Sequence, residues 1–186
     1  ILMSSNPDVI AAGLNVTTAE TPLIYSADHE NWEAMAQLAK QHNAALVVTA
    51  ASLDELADLT EKIKGAGVEN MVLEPTAENL SSQLVLNTQI RRLALKKNYR
   101  PLGYPLFADC TNGGDIAYES IKAAQAIAKY AGFVVIDHFA PNHVYPLLVL
   151  RQNIYTDPQK PIQVQPGLYE INNPSADDPV LVTTNF

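Results

Sequence analysis

Glu74, Asp109, Asp137 and His138 are the side chains of this sequence best placed to do chemistry. Each carboxylate closes a short apolar run: NMVLE over 70–74, GYPLFAD over 103–109 and FVVID over 133–137, with His138 next in the chain. Thr49 and Ser26 close two further runs, ALVVTA and PLIYSA, and add hydroxyls at corresponding positions. Carboxylates and an imidazole converging on one mouth could transfer protons, because burial can tune either group toward neutral pH. The same residues could equally cap the helices that follow or satisfy loop amides, a common duty of Asp at strand ends.

Other reactive types are weaker. His138 and His143 are separated by a Pro141-Asn142 turn rather than set on one helix face, which is poor spacing for a metal. Cys110 is the only cysteine, so neither a disulfide nor a cysteine cluster can form within the chain, and it reads as a small packed residue. Asn112-Gly113-Gly114 could offer amides to a phosphate. Asp115 would compete for those amides, which favours a turn with an N-cap. Gly65-Ala66-Gly67 reads as a helix end, and His29 and His42 as surface or capping groups at either end of one helix.

These residues need elements to position them, and the chain supplies an even alternation. Strands are expected at 1–4, 22–27, 45–50, 70–74, 103–109, 133–137 and 161–165, the first six each followed by a helix. Pro7 opens the first helix, and Trp32, Met35, Ala36, Leu38 and Ala39 form the stripe of the second. Ser52 and Glu55 make a capping box for the third, whose stripe is Leu53, Leu56, Leu59 and Ile63. Helices are further expected over 77–97, 115–130 and 142–152, with Pro146 near the first turn of the last. A strand–helix period of roughly 25 to 30 residues predicts α/β architecture with a parallel sheet. No Gly-x-Gly-x-x-Gly follows the first strand, which disfavours a dinucleotide fold. Seven such units fit a TIM-type βα barrel, incomplete at its N-terminal end, better than an open five-stranded sheet.

Composition narrows the function classes. The chain has 186 residues, 47% hydrophobic and 17% charged, with a net charge of −8. Basic residues cluster only at Arg91-Arg92 and over 96–100, so a nucleic-acid footprint is not expected. No apolar run approaches the length of about 20 residues that spans a membrane, and no signal peptide is evident, so a cytoplasmic setting is expected. Past Gly167 the polar, proline-spaced stretch Asn172–Pro179 reads as a linker, and Val180–Phe186 as the start of another strand. The sequence thus reads as part of a larger protein: a barrel over 1–171, a linker over 172–179, and the first strand of a further domain over 180–186.

The run from Gln152 to Pro158, with PGLYEI over 166–171 and PVLVTTNF over 179–186, resembles the large (gamma) subunit of the corrinoid iron–sulfur protein of the acetyl-CoA synthase/decarbonylase system. The resemblance continues through LLVLR over 147–151, GYPL over 103–106, Ile90-Arg91-Arg92, PLIYSA over 22–27 and Asn31-Trp32. It departs at FADC over 107–110, where a more apolar continuation is expected. The resemblance implies a barrel set between a [4Fe-4S] domain and a corrinoid (cobamide) domain, with both cofactor sites largely or wholly outside this chain. It implies a methyl carrier, which takes a methyl group from a methylated tetrahydropterin through a methyltransferase and delivers it to acetyl-CoA synthase/CO dehydrogenase. It further implies a heterodimer with the small corrinoid protein subunit, and Thr183, Thr184 and Asn185 as the only residues here that could approach the corrinoid. On this reading the barrel performs no chemistry by itself. The competing expectation is a pterin-binding barrel methyltransferase acting on its own through Asp109 and Asp137.

Overall fold

The computed structural model describes residues 1–17, 21–111, 115–129 and 131–155, with Gly167, Glu170 and Ser175 besides. The expected strand at 161–165, the linker apart from Ser175, and Val180–Phe186 lie outside the described residues, as do Asn112, Gly113 and Gly114.

Strand and helix alternate throughout: β1 (Leu2–Met3), α1 (Pro7–Val16), β2 (Leu23–Ala27), α2 (Trp32–Gln41), β3 (Ala45–Ala50), α3 (Leu53–Gly65), β4 (Met71–Pro75), α4 (Leu80–Lys96), β5 (Leu106–Asp109), α5 (Ile116–Ala128), β6 (Ala131–Val135) and α6 (Pro141–Tyr155). All neighbouring strands pair in parallel, in the order β1-β2-β3-β4-β5-β6. Strands that follow one another both in space and in sequence, each with a crossover helix, are the arrangement of a βα barrel, here six strands of one.

The sheet is curled. Strands β2 and β5 are three strand spacings apart, about 14 Å in a flat sheet. Yet the rings of Tyr25 on β2 and Phe107 on β5 lie 5.2 Å apart between centroids. That distance is possible only if the face carrying them is concave. Leu23, Val47, Val72 and Phe107 fill this inner face. The alternate residues Ile24, Leu46, Val48, Leu73 and Leu106 point outward into the larger core under α1 to α4. Both faces are covered, so the strands are apolar without polar alternation, as expected of a buried parallel sheet.

Helix starts follow the capping chemistry. Asn6, Ser52, Asn79 and Asp115 each accept a hydrogen bond from a backbone amide of the first turn. Several boundaries differ from the expectations, those of four elements in ways that bear on the site or its supports. Helix α4 begins at Leu80 rather than at 77, because the Asn79 side chain takes the Ser82 amide at 2.9 Å. Strand β5 begins at Leu106, since Arg100–Leu102 form a 3-10 turn that Gly103 ends. Strand β6 runs from Ala131 to Val135, leaving Asp137 beyond its end. Helix α6 begins at Pro141, one residue earlier than expected, and Pro146 lies inside it.

Candidate functional site

The pairing of β4 with β5 is the weakest in the sheet, with Leu73 opposite Leu106 as its one register pair. Beyond that pair the two strands part, and a side chain replaces the backbone ladder: the Asp109 amide donates to Glu74 Oε1 at 3.1 Å. Inward parity explains the placement. Glu74 follows Val72, and Asp109 follows Phe107, on the concave face of the sheet. Thr49 pairs with Glu74 across β3 and β4. Between the parted strands, α4 and α5 border a cavity of about 270 Å³ whose polar lining includes Tyr25, Glu74, Asp109 and Lys122.

Burial governs the chemistry of this cavity. Glu74 is 5% exposed, and loss of solvation pushes its carboxyl up to about 7, with some help from the Asp109 charge. The Tyr25 hydroxyl, the Asp109 amide and the Lys122 charge oppose that rise. Oε2 of Glu74 is buried without a hydrogen-bond partner. Burial, reinforced by Glu74, drives the Tyr25 phenol far above its usual range, so it stays protonated. Cys110 is 1% exposed, and burial pushes its thiol up to about 11. A protonated, buried thiol is a packing residue and not a nucleophile. Asp109 holds its own loop, taking the Thr111 amide at 2.9 Å and the Thr111 hydroxyl at 2.6 Å. Glu74, raised by burial, is able to exchange a proton near neutral pH.

Asp137 and His138 do not line this cavity. Both backbone amides donate to Glu119 Oε1, and His138 Nδ1 bonds Glu119 Oε2. The expected grouping of four therefore divides into two pairs, because Asp137 falls past the end of β6 and the chain there turns toward α5. Glu119, 1% exposed, anchors the second group. Burial opposes its ionisation, but the His138 ring and the two amides outweigh that and hold its carboxyl below the usual range. His143 packs beside it, with Nδ1 2.6 Å from Ser120 Oγ. The same Ser120 hydroxyl lies 2.7 Å from the Ile116 carbonyl. The rings of His138 and His143 are 6.5 Å apart and perpendicular. Among the described residues no three His, Cys, Asp or Glu side chains converge as metal ligands.

The remaining expectations resolve locally. Ser26 is buried, and its carbonyl accepts from the Asn31 amide group. His29 sits exposed 3.7 Å from both Glu30 and Glu55, and His42 is the C-cap residue of α2. Asp115 caps α5 by accepting from the Ala117 amide at 3.1 Å. Thr183, Thr184 and Asn185 lie outside the described residues. The sequence reading overlooked Tyr25, Lys122 and Glu119. Glu119 carried a usable signal: it occupies the buried stripe of α5 with Ala123, Ala126 and Ile127, where an acid is out of place unless bound.

A curled parallel sheet with carboxylates at its strand ends defines a βα-barrel protein whose described mouth carries a buried acid, Glu74, beside Asp109. The sequence matches the CO dehydrogenase/acetyl-CoA synthase delta subunit family over residues 1–186, and the chain belongs to that family. It is 44% identical to the corrinoid/iron-sulfur protein large subunit of Moorella thermoacetica over 186 residues, all of this chain and 42% of that protein. It is 34% identical to the acetyl-CoA decarbonylase/synthase complex subunit gamma of Archaeoglobus fulgidus, again over all of this chain and 42% of the relative. The Methanocaldococcus jannaschii gamma subunit is 32% identical over 209 aligned residues and 43% of its length. The chain thus spans about two fifths of the length of the curated relatives it matches. No helix among the described residues is long and apolar enough to cross a membrane.

Proposed function

We propose that this chain is the barrel segment of a corrinoid iron–sulfur methyl carrier. It would serve as the platform between the parts that hold the cofactors. The observation that carries this reading is the 44% identity to a corrinoid/iron-sulfur protein large subunit along every residue of the chain. In the complete protein a methyl group would pass from a methylated tetrahydropterin, by way of a methyltransferase, to the corrinoid, and on to acetyl-CoA synthase. A small corrinoid protein subunit would complete a cytoplasmic heterodimer.

The thiol content of the chain does not fit an iron–sulfur cluster. A [4Fe-4S] cluster needs about four thiolates, and the chain has one cysteine, buried and protonated. We therefore place the cluster in other parts of the longer protein. Residues 1–171 would form the barrel, 172–179 the hinge and 180–186 the first strand of the corrinoid domain, with Thr183, Thr184 and Asn185 closest to the cofactor. A linker of Asn, Pro, Ser and Asp suits a carrier that must present one cofactor to several partners. The competing barrel-methyltransferase reading relied on Asp109 and Asp137 acting together. It loses support because Asp109 lines the Glu74 cavity and Asp137 does not.

The test uses the complete protein with its partner subunit. It should show a corrinoid absorption spectrum and accept a methyl group from a methylated pterin when the methyltransferase is supplied. A complete protein that purifies folded but colourless at cobalt wavelengths would overturn the proposal. Thr183→Ala with Thr184→Ala should shift the corrinoid spectrum while leaving the unfolding of the barrel unchanged.

A further inference from the structure

Five of the twelve Lys and Arg side chains lie between 91 and 100, and no Asp or Glu occurs from 79 to 108, in a chain whose net charge is −8. The structure gathers these cations at the end of α4 and the 3-10 turn after it. A helix returning from the carboxyl end of β4 finishes at the opposite end of the barrel, so this basic patch lies away from the Glu74 cavity. Arg92, Lys96, Lys97 and Arg100 are exposed. None of these four has a carboxylate at ion-pair distance among the described residues.

Helix-end lysines commonly do no more than offset the helix dipole. Two further observations go beyond that duty. Leu95 and Tyr99, two large apolar groups, stand 65% and 41% exposed among the cations. They also share with Arg100 a groove of about 260 Å³ that runs to Tyr104. Apolar and aromatic anchors ringed by charge are the usual anatomy of a protein-binding surface. Carboxylates nearby on this chain, at Glu61 and Glu69, make no ion pair with these four cations.

We propose that the end of α4 is a docking surface for an acidic protein face, one that places an apolar side chain between Leu95 and Tyr99. This rests on the carrier reading, in which the chain works inside an assembly. Complementary charge would set the rate and orientation of encounter, and the two anchors would set its lifetime. A protein partner fits better than a nucleic acid, because the rest of the surface is acidic and would repel an extended polyanion.

The experiment uses the full-length protein and two fluorescein-labelled probes, a peptide alternating glutamate with leucine and a single-stranded oligonucleotide of equal charge. The peptide should bind at low salt and weaken at least tenfold in half-molar salt. Binding should be lost in the variant Arg92→Glu, Lys96→Glu, Lys97→Glu, Arg100→Glu. Tyr99→Ala should weaken the peptide severalfold without changing its salt dependence. Equal binding by the charge-reversed protein, no peptide binding at all, or tighter binding of the oligonucleotide would each overturn the proposal. The corrinoid spectrum of the charge-reversed protein is read in parallel. An unaltered protein with a normal spectrum that binds no peptide sinks the surface and spares the carrier, whereas an absent spectrum in both proteins sinks the carrier.

Discussion

Glu74 is a carboxylate that the fold makes costly to ionise, and its pH dependence has a definite sign. Its carboxyl is raised from 4.5 to about 7 in the folded chain. Between those values the folded state holds a proton that the unfolded state has lost, so stability falls as pH rises from 4.5 to 7 and then levels. A shift of this size corresponds to roughly 3 kcal/mol. Glu74→Gln keeps an acceptor for the Asp109 amide and removes the charge. It should stabilise the protein by about 2–3 kcal/mol at pH 8 and by almost nothing at pH 4. Urea unfolding of both proteins at the two pH values measures this. Glu119 has the opposite sign. Its carboxyl is lowered by the His138 ring and two amides against the cost of burial, so its contribution is present at neutral pH and lost as pH falls through its folded value. Glu119→Ala should lower the melting temperature at pH 7 far more than Glu119→Gln, which retains one acceptor for the amides of Asp137 and His138. Equal melting of the two variants would refute the anchoring role. Strand-end acids were legible in the sequence because a short apolar run ending in Asp or Glu is a local pattern. The split of four residues into two groups was not, since it depends on where β6 stops and on a helix position 18 residues before Asp137.

Helices and strands are joined by a few side chains that belong to neither. Asn31 is the clearest: its side chain accepts from the Asp28 amide at 2.9 Å and donates to the carbonyls of Ser5 and Ser26, each at 3.2 Å. It therefore ties the end of β2 to the loop before α1 and to the start of α2. Asn31→Ala should cost about 2–3 kcal/mol by chemical denaturation, the sum of several partly buried bonds. Asn79→Ala removes one exposed cap and should cost about 1 kcal/mol. The two variants measured together separate a tie between elements from a local cap. At this scale most of the chain was readable. Helix α3 follows from Ser52 and its Leu stripe, and β3 from the unbroken run ALVVTA. The failures sit where a side chain or a proline decides the boundary. The Asn79 cap delayed α4, the turn at Arg100–Leu102 shortened β5, and Pro141 opened α6 early.

Curvature of the whole sheet had no local sequence signal, because it arises from contacts across several strands. Tyr25, Phe107 and Phe133 mark it: Phe107 lies 5.2 Å from Tyr25 and 6.3 Å from Phe133 between ring centroids, joining β2, β5 and β6 over the concave face. Phe107 is 2% exposed and stands beside the weak β4–β5 pairing, so its ring does work there that the backbone ladder does not. Phe107→Ala should destabilise the barrel by about 3–5 kcal/mol, the usual cost of removing a buried aromatic side chain. Phe107→Leu, which refills part of the space, should recover much of that. The same variants examine the division of labour proposed for the complete protein. A platform that holds no cofactor can lose stability without altering the cofactor's surroundings. Full-length Phe107→Ala, kept below its melting temperature, should then retain the corrinoid spectrum per folded molecule while unfolding earlier in urea. A spectrum that shifts in the folded variant would show the concave face to be part of the corrinoid site, and the barrel would have to be counted as cofactor machinery instead of support.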